Sequence, residues 1–185
     1  VWSSDLLRRE APAVRVESVP LPQDEIHDAL DAGVIDFAMG YLTTIQGTQH
    51  VQLMHDRYVL LLRAGHPMLE RRRRAAPGIN DLEKLDYVGV LSHPETLHIL
   101  HELGLNERIR LTASHLLAVP PVVKATDLAV LMPRAIARGI AHAGGYDTAE
   151  PKLPNNAITV SLHWSRRFDA DPANVWMRQL LVRLF

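Results

Sequence analysis

No cysteine occurs among the 185 residues, which excludes disulfides and thiolate chemistry and is compatible with a reducing compartment. Neither sign of charge dominates. The 20 Lys and Arg face 21 Asp and Glu for a net charge of −1, so the overall balance marks no nucleic-acid surface. No apolar run approaches the roughly 18 residues of a membrane-spanning helix. The opening VWSSDLLRRE is not a signal peptide. The nucleophile elbow G-x-S-x-G, the metalloprotease H-E-x-x-H, Walker A and G-x-G-x-x-G are all missing. Gly144-Gly145 is a lone pair, and no nucleophile stands in an activating context, so no catalytic residue is assigned. What is present is 47% hydrophobic and 22% charged residues, ordinary for a globular chain long enough to bury one core or two small ones.

The most informative stretch is IRLTASHLLAVPPVVKATDLAVLMPRAIA, residues 109–137. Ile109, Leu111 and Ala113 alternate with Arg110 and Thr112, the period of a half-buried strand. Ser114-His115 turns the chain, and Pro120-Pro121 stands where a helix starts rather than continues. Residues 128–132 form a continuous apolar run, which suits a strand buried on both faces, and a helix resumes after Pro133. This is a βαβα passage, and such units place functional groups at the carboxyl ends of their strands.

The rest of the chain repeats the alternation. Val14 and Val16 alternate with Arg15 and Glu17, predicting a strand over residues 14–18. Asp24 is placed to cap a helix with Ile26, Ala29 and Leu30 on one face and Gly33 beyond its end. A strand is predicted over residues 34–42, another in residues 51–63, and another over 87–91 ahead of a helix closed by Gly104. Residues 142–156 read as loop, 157–164 as a strand, and Asp171-Pro172 opens a last helix with Trp176, Leu180 and Leu181 on its apolar stripe. The fold class is α/β.

Ten histidines raise a metal reading, and His98 and His101 share a helical face near Glu95 and Glu102. A site needs further ligands, and exposed helix positions explain the pair as well, so no metal is assigned. The run of arginines at residues 71–74 could meet nucleic acid, but a short run on a loop is usually a solvated patch. Two matched corners stand out instead. Ser92-His93-Pro94 follows one strand and Ser114-His115 follows another, and Ser3-Ser4 after Val1-Trp2 is a possible third. Convergent polar groups on an apolar cleft suit a small organic ligand. The plainer alternative is a capping corner with a surface histidine.

Taken with these residues, the chain resembles the effector-binding domain of LysR-type transcriptional regulators, in the branch responding to aromatic compounds and nodulation flavonoids. The resemblance runs nearly end to end through LRREAPAVRVE (7–17), LDAGVIDFAMG (30–40), DRYVLLLRAGHPML (56–69), the strand and His corner with TDLAVLMP (110–133), and SLHWSRRFDADPANVWMRQLLVRLF (161–185). It departs at the start. The family has a strand, a loop and a full helix before LRREAP, whereas VWSSD runs almost directly into it, so residues between Asp5 and Leu6 are deleted or left out.

The resemblance implies two Rossmann-like lobes of periplasmic-binding-protein type II architecture joined by two crossover strands. Lobe I would be residues 1–55 plus 161–185, and lobe II residues 56–160. The family's N-terminal winged helix-turn-helix is absent from this chain. A small aromatic effector would bind in the interlobe cleft, at Ser3, Ser4, Tyr41, His93, His115 and Arg138, where Arg138 lies near a family position that can carry a basic group. No cofactor is implied. DNA and RNA polymerase would be met only through the full-length protein, which would be cytoplasmic and a homodimer or homotetramer. The rival readings are a solute-binding receptor of a transport system and, third, an enzyme on the same architecture.

Overall fold

Two unbroken apolar runs, residues 58–62 and 128–132, pair with each other within a seven-stranded sheet. The computed structural model describes residues 4–42, 45–72 and 76–185, and for Ser4, Asp5, Arg71 and Arg72 the backbone alone. In chain order the strands are β1 (Ala38–Gly40), β2 (Thr48–Arg63), β3 (Asp86–Val90), β4 (Ile109–Ala113), β5 (Leu128–Pro133), β6 (Tyr146–Ala149) and β7 (Ala157–Ser165). The helices are α1 (Ser4–Glu10), α2 (Ile26–Asp31), α3 (Pro67–Arg72), α4 (Ile79–Leu82), α5 (Pro94–Glu102), α6 (Val119–Ala125), α7 (Arg134–Ala141) and α8 (Pro172–Val182). The chain divides into two compact units, Val1–His55 with Ile158–Phe185, and Asp56–Ala157.

In the second unit β2 lies antiparallel to β5, with Leu60 opposite Leu131, and antiparallel to β6 on its other side. β5 runs parallel to β3, and β3 parallel to β4. Three neighbouring strands therefore point their carboxyl ends at one edge. Val59, Leu61, Val88, Val90, Val130 and Met132 line one buried cluster, closed by Val119 and Val123 of α6 and Ala137 of α7. Each such side chain taken fully out of water contributes about 1.5–3 kcal/mol, so this layer fixes where the strand ends fall. α5 sits close on β3 because Gly89 lacks a side chain: a Cβ there would meet Leu97 Cδ2 at 2.7 Å. Pro94 opens α5 at its first turn, where a missing amide proton costs little.

In the first unit β1 pairs antiparallel with β7, Ala38 opposite His163, and β7 also neighbours β2. α2 covers this small sheet with Ile26 and Leu30 against Ala38. α8 opens at Pro172, with Asp171 as its cap, accepting from the Asn174 amide at 2.8 Å.

The structure departs from the sequence expectations in four places. Residues 14–18 form no strand; Val14, Val16 and Val19 are 43–50% exposed, and the alternation that predicted a buried face meets no sheet. The strand expected over residues 34–42 shortens to β1, since Gly33 and the bends after it use up the first half of the run. Within the loop expected over residues 142–156, Tyr146–Ala149 forms β6, because the exposed edge of β2 offers a ladder to a stretch too short to show periodicity. The cap of α2 is Glu25 with no side-chain bond, rather than Asp24. The arginine run at residues 71–74 lies largely outside the described residues.

Polar burial in the first unit centres on His163, which is 1% exposed. Thr48 Oγ1 donates to the Ile45 carbonyl at 2.8 Å, so its oxygen is left to accept from His163 Nδ1 at 3.1 Å. That fixes the proton on Nδ1 and leaves buried Nε2 as an acceptor without a partner. The His50 ring stacks on His163 at 5.2 Å. Burial, and secondly the neighbouring His50, hold the His163 imidazole below its ordinary value of 6.5.

Two measurements follow from this packing. Met132→Ala should lower the free energy of unfolding by about 2–5 kcal/mol in urea titration, whereas Leu117→Ala, at a side chain 92% exposed, should change it by less than about 0.5 kcal/mol. For His163 the folded state binds its proton more weakly than the unfolded chain does. Its contribution is thus complete above pH 6.5 and is lost as the pH falls below that value toward the lower folded-state pKa. The melting temperature of the wild type should drop between pH 7.5 and 5.5 by more than that of His163→Gln; equal drops would assign the acid sensitivity elsewhere.

Candidate functional site

The parallel pairing of β3 and β4 puts the two Ser-His corners side by side. The Leu91 amide donates to the Ala113 carbonyl at 2.9 Å, and Val90 stands opposite Ala113, so the chain leaves both strands at the same level. Neighbouring strands are about 4.8 Å apart, which makes the corners immediate neighbours on one sheet edge.

His93 is held firmly. Its amide donates to the Val90 carbonyl at 3.0 Å, its carbonyl accepts from Thr96 Oγ1 at 2.8 Å, and its Nδ1 lies 3.1 Å from Ser92 Oγ. The ring is half-buried at the start of α5. Burial pushes its imidazole below the ordinary value, and the Glu95 carboxylate offsets part of that. At neutral pH the ring is therefore an uncharged donor and acceptor. His115 is exposed and starts a single 3-10 turn, Leu116–Ala118, that leads into α6.

Sequence reasoning missed three groups at this edge. Tyr58 of β2 stands opposite Pro133 of β5, so Asp56, two residues earlier, extends past the carboxyl end of β5. Asp56 Oδ2 accepts from the Ala135 amide at 3.1 Å and so caps α7. Burial, then Glu95, then Asp56 push the Tyr58 hydroxyl up to about 12, which keeps it protonated. The strand ends thus gather two serines, two histidines, a phenol and two carboxylates. The detectable signal was Asp56, a charged residue two positions before the apolar run; that Glu95 follows the end of β3 in the first turn of α5 needed the placement of that helix.

The other expected site residues belong to other elements than these two corners. Ser3 lies outside the described residues, and Ser4 is the first residue of α1. Tyr41 directly follows β1 in the first unit and is half-buried. Arg138 is exposed in the last turn of α7, one turn beyond the end that meets the corners. The paired histidines of α5 have ordinary partners: His98 pairs with Glu102 at 3.3 Å, and His101 with Asn106 at 2.7 Å. Among the described residues no group of three or more His, Cys, Asp or Glu could hold a metal ion. No described helix is long and apolar enough to cross a membrane.

Comparison with known proteins agrees with this architecture. The sequence profile of the LysR substrate binding domain matches residues 5–185. The chain is 29% identical over 188 residues to the HTH-type transcriptional activator NagR of Ralstonia sp., an alignment covering 98% of this chain and 60% of that protein. It is 28% identical over 180 residues to Nodulation protein D 1 of Bradyrhizobium diazoefficiens, covering 96% of this chain and 57% of that protein. The crystal structure of a probable transcriptional regulator from Pseudomonas aeruginosa superposes with a TM-score of 0.78 at 26% identity, covering 96% of this chain and 59% of that one. The chain thus spans about three fifths of the length of the curated relatives it matches, and those relatives are transcription regulators rather than transport receptors or enzymes. This chain belongs to the LysR substrate binding domain family.

Proposed function

We propose that this chain is the ligand-sensing part of a transcription regulator and that a small aromatic effector contacts the paired corners of the second unit. The observation that carries the reading is the pairing of β3 with β4, which sets Ser92-His93 beside Ser114-His115 on one edge. A cluster of hydroxyls and imidazoles above an apolar layer offers directional hydrogen bonds together with apolar surface for a ring. His93 and His115 supply the polar contacts; Ser3, Ser4, Tyr41 and Arg138 stay as proposed contacts of secondary rank, because the paired corners of β3 and β4 do not include them.

Effector binding alters regulation only if the ligand binds two arrangements of the protein unequally. In the full-length cytoplasmic protein that preference would pass to a DNA-reading segment and, through it, to RNA polymerase. Association as a homodimer or homotetramer would join the regulatory parts.

Calorimetric titration with aromatic acids and flavonoid-like phenols tests the reading. His93→Ala and His115→Ala should each weaken binding by about 1.5–3 kcal/mol, roughly ten- to a hundredfold, with little change in melting temperature for the exposed His115. Wild-type affinity in both variants would remove the corners from the site.

A further inference from the structure

The same edge carries information about the chemistry of its ligand, and the following inference rests on the reading just proposed. We propose that the second unit selects a neutral, hydroxylated aromatic ring over the corresponding aromatic carboxylate. Three features of the edge support this.

First, the helix starts that would ordinarily grip an anion have few amide protons to give. Helix N-termini bind anions through backbone N–H groups. Pro94 opens α5 without one, and the Thr96 amide is engaged with the His93 carbonyl at 3.1 Å. Pro120 and Pro121 remove two from the first turn of α6. At α7 the Ala135 amide already serves the Asp56 carboxylate.

Second, carboxylates outnumber cations there. Asp56 lies at the start of α7, and Glu95 stands in the first turn of α5, two residues past His93. Arg134 is the first residue of α7, and Arg57 is committed to an ion pair with Glu150. A ligand carboxylate would add a third negative charge to one guanidinium, an arrangement that costs more the less water reaches it.

Third, the remaining groups accept well from a hydroxyl. A phenol O–H donates to a carboxylate or a neutral imidazole, and its oxygen accepts from a serine hydroxyl. Ser92, His93, Glu95, Ser114 and His115 supply that combination on two adjacent corners.

The test uses a matched pair, 4-hydroxybenzyl alcohol and 4-hydroxybenzoate, with tyramine as the cationic member, titrated into the 185-residue chain by calorimetry at pH 7.5. The alcohol should bind at least about tenfold more tightly than the carboxylate, about 1.4 kcal/mol. Glu95→Gln, an exposed position, should narrow that ratio several-fold by improving the carboxylate, and Arg134→Gln should leave the affinity for the alcohol unchanged. Tighter binding of 4-hydroxybenzoate or of tyramine, or loss of the alcohol in Arg134→Gln, overturns the selection while leaving an aromatic site in place. If none of the three binds, nor any larger phenol, it is the aromatic-effector reading itself that fails.

Discussion

The parallel register of β3 between β4 and β5 is the constraint on which the second unit depends. Parallel strands cannot be joined by a tight turn, so each connection becomes a helix, and each helix begins where a strand ends. Here that rule sets three chain reversals on one edge: the corner before α5, the corner before α6 and the Pro133 junction before α7. The apolar layer of Val88, Val90, Val130 and Met132 holds the strands in register, and polar corners follow where β3 and β4 run out. The candidate site is the polar rim left over from making that core.

The antiparallel strand β2 adds the acidic component. Its apolar half completes the sheet beside β5, and the reversal of direction places the start of that half at the carboxyl ends of its neighbours. Asp56 therefore caps α7 from another strand, and Tyr58 is buried opposite Pro133 at the end of β5 with its hydroxyl proton held on. The first unit shows a different balance, in which a buried histidine donates one hydrogen bond to Thr48 but leaves its other nitrogen without a partner, making part of its stability dependent on pH.

Much of the second unit was legible from periodicity and punctuation. The alternation at 109–113, the unbroken run at 128–132, and the prolines at 94, 121 and 133 marked strands and helix starts because local propensity and tertiary packing agree there. The Ser-His corners could be named from their place after two strands, but their adjacency is a register and needed the structure. β6 was missed because its pairing derives from the edge of β2 rather than from its own pattern. Residues 14–18 failed in the opposite sense. Their alternating valines signal a buried face, yet no sheet receives them in this structure, so a correct local pattern gave the wrong element. Asp56 and Glu95 were read as charges on a strand and a helix; their common direction arises from α5 lying close over Gly89 and from β2 running antiparallel to β5.

The central claim is that ligand recognition uses the adjoining ends of β3 and β4. Amide hydrogen exchange, read residue by residue with and without a saturating hydroxylated aromatic ligand, tests it most directly. The account predicts added protection concentrated at residues 91–96 and 113–118, with the amide of Ala135 following. Protection confined to the first unit, with those two segments unchanged, would contradict it.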